Sequence, residues 1–250
     1  MLFKVLSVAA LSAITSFAYI GSAQALTFKM TTGVNGPNGE TNQGAYSQFA
    51  QDKGVVTVDF NDGKLPTTGF AKYSFSQNNN YSSVRADMWA PTGANGEKNE
   101  SNYLAVFAGN DLTIQLEKTL NYFGIDWGAA HEANTFTFFK GDKLVKAFTT
   151  ADIEAAGGFA LYSALHPGGP AGQPGQGNGY VHFYSESNED NFDRIVIQQL
   201  GGGGFESDNH SFRVGTGKFD PQAVPEPGVA FGLLGLGGLL LRKRKAAKSA

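Results

Sequence analysis

Tyr103–Phe107 (YLAVF), Leu112–Leu116 (LTIQL), Leu120–Trp127 (LNYFGIDW), Thr135–Phe139 (TFTFF) and Leu144–Phe148 (LVKAF) follow one another in close order. Each is short, rich in aromatic and branched residues, and bounded by Gly, Asn or Asp, the signature of strands separated by turns. Lys140-Gly141-Asp142-Lys143 between the last two reads as a hairpin turn. Working outward, Val55–Phe60 (VVTVDF) and Phe70–Phe75 (FAKYSF) precede this run, and Tyr180–Tyr184, Phe192–Gln198 and Ser211–Val214 follow it. No alternation of strand with helix appears, which excludes a doubly wound fold. The expected fold class is all-β, an antiparallel jelly-roll-like β-sandwich over residues 26–222. One short surface helix is expected at Ala151–Ala156, capped by Thr149 or Thr150 and ended by Gly157. Gly33–Lys53, Gln77–Glu100 and His166–Gly179 read as loops. There is no internal repeat at fixed spacing, so a solenoid or propeller is not expected.

The composition agrees. The chain of 250 residues holds 33 Gly and 20 Phe, and only 16% of it is charged, below the usual quarter. Cysteine is absent, which excludes disulfides, zinc–cysteine sites, iron–sulfur clusters and a thiol nucleophile. The net charge of −3 is unevenly spread: the stretch 26–224 keeps 13 basic and 21 acidic residues, a net of −8. Such a body repels phosphates, so no nucleic-acid partner is expected.

Both ends read as processing segments. Lys4, the apolar run Val5–Ile20 and Ala23-Gln24-Ala25 form a signal peptide, with Ala23 and Ala25 at the positions a signal peptidase reads. The mature chain would begin at Leu26. At the other end, Val224-Pro225-Glu226-Pro227-Gly228 precedes an apolar run, Val229–Leu241, and then Arg242-Lys243-Arg244-Lys245. The run is expected to be a short hydrophobic helix. It is below the roughly 20 residues a membrane span needs, although the preceding Pro/Gly segment brings it nearer. The basic cluster would stay in the cytoplasm.

This tail, 223–250, resembles the PEP-CTERM sorting signal of exported proteins in Gram-negative bacteria, which is also labelled an ice-binding-protein C-terminal motif. The resemblance rests on Pro225, Glu226, Pro227, the glycine-rich span to Leu241 and the basic residues Arg242, Lys243, Arg244 and Lys245. It implies processing by signal peptidase and then by an exosortase. The inner membrane would be a transient station, and the cell surface or exopolysaccharide matrix the destination. The body resembles the same surface proteins through Phe123-Gly124-Ile125-Asp126-Trp127-Gly128, Asn134–Phe138, Tyr180–Phe183, Phe192–Val196 and Phe205–His210. That resemblance implies a shared fold and no mechanism.

Catalytic motifs are missing. There is no Gly-x-Ser-x-Gly, no Walker A sequence and no His-Glu-x-x-His, and His131, His166, His182 and His210 show no ligand spacing. Asp59-Phe60-Asn61-Asp62-Gly63 is a fragment of a calcium loop but fails the EF-hand spacing. Asp59 or Asp62 with Asp208 would match the calcium that sandwich-type carbohydrate-binding modules hold between an early loop and the last strand. The plainer alternative is that these acids make turns. Calcium is the only cofactor the sequence raises. Asp126, Glu132, Glu186 and Glu206 are candidates for a glycosidase pair. For sugar stacking the candidates are Trp89, Trp127, Tyr81, Tyr162 and Tyr184, with Asp126 and Asn134 beside Trp127; the competing reading buries Trp127 in the core. Three functions follow: a non-catalytic structural or adhesive surface protein, a lectin-like exopolysaccharide-binding module, and, last, a secreted hydrolase.

Overall fold

A computed structural model describes residues 26–78 and 81–220. The segment read as a signal peptide, with Ala23 and Ala25, and the segment read as a sorting tail with a short apolar helix, from Pro225 to Lys245, lie outside the described residues. Among those residues the chain is all-β: twelve strands and one short helix. In order these are β1 (Thr27–Thr31), β2 (Val55–Val58), β3 (Ala71–Phe75), β4 (Ser83–Arg85), β5 (Tyr103–Phe107), β6 (Asp111–Ala130), β7 (Asn134–Lys140), β8 (Lys143–Thr149), α1 (Thr150–Ala155), β9 (Leu161–Ser163), β10 (Gln176–Tyr184), β11 (Phe192–Gln199) and β12 (Gly204–Val214). Every strand pairing is antiparallel.

The sequence reads Leu112–Leu116 and Leu120–Trp127 as two strands; the chain runs them as one, β6, 20 residues long. Its first half lies between β3 and β11, with Ile114 opposite Tyr73 on one side and Ile195 on the other. Its second half lies between β10 and β12, with Phe123 opposite Phe183 and Phe212. Between the halves the register with β11 slips, so that Arg194 faces Gln115 while Phe192 faces Leu120. An irregularity of this kind bends a strand and re-aims it. The burial pattern changes at the same place. Leu112, Ile114 and Leu116 alternate with more exposed neighbours, whereas Leu120 to Ala129 are buried without interruption. The second half is therefore covered on both faces.

The two halves of the sheet meet through aromatic rings. Phe136 and Phe138 of β7 lie 4.8 Å from Phe183 of β10, and Phe136 also meets Phe205 of β12 at 4.9 Å and Trp127 of β6 at 5.0 Å. Most of these contacts are edge-on or tilted, the arrangement that ring quadrupoles prefer. β7 and β8 form the hairpin read from the sequence, with Lys140 opposite Lys143.

The helix also matches its reading. Thr149 accepts from the amide of Asp152, and Asp152 reciprocates at the Thr149 amide, a capping box. β12 is the larger departure. It begins at Gly204 rather than Ser211 because Glu206-Ser207-Asp208-Asn209-His210, polar enough to read as a loop, is entirely buried. β10 likewise reaches back to Gln176, into the Gly/Pro-rich segment, and the short strands β1 and β4 are not among those read from the sequence.

Phe183 is fully buried at the point where both halves meet. Phe183→Ala should cost about 3–5 kcal/mol in a denaturant titration, whereas Leu144→Ala, half exposed on β8, should change stability by less than about 0.5 kcal/mol. Equal effects would contradict this packing.

Candidate functional site

The outward face of β10, β6 and β12 is covered by the segments 32–54 and 86–102, and between sheet and loops lies a layer of buried polar side chains. Strand periodicity places Tyr122, Gly124, Asp126 and Gly128 of β6 on this face, while Phe123, Ile125 and Trp127 enter the core. Gly124 is required here. A Cβ at that position would stand 2.3 Å from the Tyr122 hydroxyl and 2.7 Å from the Tyr180 ring. Its absence lets the two phenols close over the strand.

One chain of hydrogen bonds crosses this layer. The Phe49 amide donates to Ser47 Oγ, which is 2.6 Å from the Tyr122 hydroxyl. That hydroxyl is 2.8 Å from His182 Nδ1, and His182 Nε2 is 3.0 Å from Thr31 Oγ1. Thr31 Oγ1 in turn donates to the Tyr180 carbonyl. Every proton has a place if Ser47 donates to Tyr122, Tyr122 to Nδ1, and neutral His182 donates from Nε2 to Thr31. Burial, helped by the charge of Lys29, pushes His182 down to about 3, so the imidazole is held neutral.

A second cluster sits one step along the same strands. Asp126 and Asp208 are direct cross-strand partners, both fully buried. Asp126 Oδ2 accepts from the Ala45 amide at 2.7 Å. Asp208 Oδ2 accepts from Asn99 Nδ2 at 2.9 Å, and its Oδ1 from the Asn209 amide at 2.8 Å. Asn209 donates through Nδ2 to the carbonyls of Gln43 and Ala45. Burial drives both carboxyls well above the carboxylate range; hydrogen bonds offset it in part, and the Asp208 charge adds to the effect at Asp126.

Further along, Glu206 is buried beside Tyr103, and burial followed by the charge of Asp87 pushes it up to about 8. Tyr103 donates to Asp87 at 2.7 Å, and Asp87 pairs with Arg85 at 3.0 Å.

The candidate residues from the sequence are distributed as follows. Trp127 is buried in the core, stacked on Phe205, with its Nε1 donating to the equally buried Asn134. Trp127, Asp126 and Asn134 therefore cannot form a sugar platform, because none reaches solvent. Trp89 is half-buried and stacks on His166 at 6.0 Å, while Tyr81 is exposed. Tyr162 packs against the core edge, and Tyr184 stacks on Phe219. Asp59 and Asp62 each accept from the amide two residues on, as turn acids do. What the structure brings to Asp208 is Asp126, its cross-strand partner, and Asp59, whose charge raises Asp208 further. Among the described residues no three His, Asp or Glu side chains converge as metal ligands.

Of the four glycosidase candidates, Asp126 and Glu206 are diagonal neighbours across β6 and β12. Asp126 and Glu206 are buried, Glu132 is exposed and Glu186 pairs with Lys218. Two open concavities, of about 320 and 380 Å³, are lined by residues around Lys118 and Arg194 and around Phe28 and Ile153, and neither contains any of the four. The Ser47–Tyr122–His182–Thr31 chain was not legible in the sequence, although the period-two placement of Tyr122, Gly124 and Asp126 was the available signal.

No protein-family model matches the chain, and no curated protein matches it.

Because an unfolded histidine protonates near 6.5 and His182 only near 3, the unfolded chain binds the extra proton first. Stability carried by neutral His182 is complete above 6.5 and lost as pH falls toward 3, at up to about 1.4 kcal/mol per pH unit. His182→Gln cannot take up that proton. In urea titrations the stability gap between wild type and His182→Gln should shrink as pH is lowered from 6.5 to 4; a constant gap would contradict a neutral His182.

Proposed function

We propose that this is an exported cell-surface or extracellular-matrix protein with a structural or adhesive role and no catalytic function. The observation that carries the reading is a succession in the sequence: Pro225-Glu226-Pro227, an apolar stretch, then Arg242–Lys245. Signal peptidase would cut after Ala25, and an exosortase would act near Pro225–Pro227 while the apolar segment is held in the inner membrane. In this reading the two facing halves of the sheet are a jelly-roll-like sandwich. The burial of Asp126, Glu206, Asp208, His182 and His210 supports a scaffold role, since those groups are not presented to a solute.

A lectin-like role toward exopolysaccharide is the second reading. It is favoured by Trp89, stacked on His166 beside the exposed side chains of Met88 and Leu165. An aromatic face flanked by open apolar surface is what stacking on a sugar ring uses. Of the aromatic candidates read from the sequence, Trp127 is buried, Trp89, Tyr162 and Tyr184 are partly exposed and Tyr81 is exposed.

Replacing Pro225, Glu226 and Pro227 together by alanine should leave the protein in the inner-membrane fraction. A normal amount at the surface would overturn the sorting reading. For the second reading, the wild-type chain should be retained on the host's exopolysaccharide and Trp89→Ala should not; equal retention, or none by either, would remove it.

A further inference from the structure

The Asp126–Asp208 cluster poses an electrostatic problem. Two carboxyls face each other across β6 and β12 on the same face of the sheet, both without exposure. Among the described residues no Lys, Arg or His is hydrogen-bonded or ion-paired to either of them. Their partners are neutral donors: the Ala45 and Asn209 amides, the Asn99 side-chain amide and the Ser101 hydroxyl. Buried charges normally require a counter-charge or a proton.

Asp126 Oδ2 accepts from the Ala45 N–H, while Oδ1 is buried and no hydrogen bond reaches it. The side-chain oxygen of Asn209, next in sequence to Asp208, is also buried and unpartnered. Its identity as oxygen is secure, since Nδ2 donates to two carbonyls. Two orphaned oxygens within one small cluster are uncommon, because buried acceptors are nearly always satisfied.

The covering loop is shaped to this cluster. Gly44, with φ +72°, crosses so closely that a Cβ there would lie 2.7 Å from Asp126 Oδ2, 2.9 Å from Asn209 Nδ2 and 3.0 Å from Asn99 Nδ2. Asn209 itself adopts φ +47°, a conformation a non-glycine residue takes at a cost that the surrounding structure must repay. The bulge it makes between Asp208 and Ser211 sets its side chain beside the two carboxyls.

We propose that Asp126, Asp208 and the side-chain oxygen of Asn209 bind one divalent cation of calcium's class beneath the Gly44 loop. Two carboxylates would balance its charge, and hard oxygen donors suit it. An irregular set with one amide oxygen suits calcium, which tolerates variable geometry, better than magnesium, which demands a near-ideal octahedron. Bound there, the ion would tie the last long strand, the central strand and the covering loop together. The inference does not depend on the sorting or sugar-binding readings.

The test uses the full purified chain, stripped with EDTA and exchanged into metal-free buffer. Calcium should raise its melting temperature by at least about 5 °C at saturation, and an equal concentration of magnesium should do much less. Terbium should bind with sensitised emission from Tyr180, whose hydroxyl donates to the Asn209 carbonyl at 2.8 Å. Asp126→Asn should lose both responses, and Glu206→Gln, a buried acid outside the cluster, should keep them. If Asp126→Asn does not fold, the two wild-type responses decide alone. A stripped, folded wild type with no calcium-dependent shift and no terbium emission would overturn the proposal.

Discussion

β6 hydrogen-bonds along both edges for nearly its whole length, and four other strands take their places from it. β3 and β11 flank its first half, β10 and β12 its second. The register slip opposite Asp193 lets one strand serve two halves of a sheet that then face each other. Backbone groups this deep in a protein must be paired, so neither half can be completed without the other. The ring contacts of Phe136, Phe138 and Phe183 add apolar burial to a connection that the backbone already enforces.

The outward face of the second half follows from the same constraint. Once β6 is buried on both faces, Tyr122 and Asp126 are committed to the interior and must be satisfied there. The loops descend to do this: Ser47 meets Tyr122, Ala45 meets Asp126 and Asn99 meets Asp208. Long loops of this kind are better understood as a polar lid than as flexible connections. The arrangement is costly if a single partner is lost, because a buried donor or acceptor left alone carries its full desolvation penalty. Only a few oxygens in it stay unpartnered, and two of these share the Asp126–Asp208 cluster.

The class of fold was legible because most strands alternate and are punctuated by turns. The β7–β8 hairpin and the capped helix were legible for the same local reason. What stayed hidden was non-local. Glu117-Lys118-Thr119 reads as a break between strands, and it is the bend within β6. Glu206–His210 reads as a loop because its polarity is measured against water, whereas its true partners come from residues such as Tyr73 and Asn99, which lie far away in sequence. The same limit governs the site. Asp126 and Trp127 are adjacent in sequence but point to opposite faces, so their proximity in the chain carried no common function. The pairing of Asp126 with Asp208 depends on strand register, which no local pattern encodes.

The central claim is that the fold is one cooperative unit threaded by β6, and native-state hydrogen exchange tests it most directly. Amides of Leu112–Leu116 and of Tyr122–Trp127 should exchange only by global unfolding, with the same free energy and the same dependence on denaturant. A separate opening of lower energy for either stretch would show that the two halves stand independently, and would contradict the account.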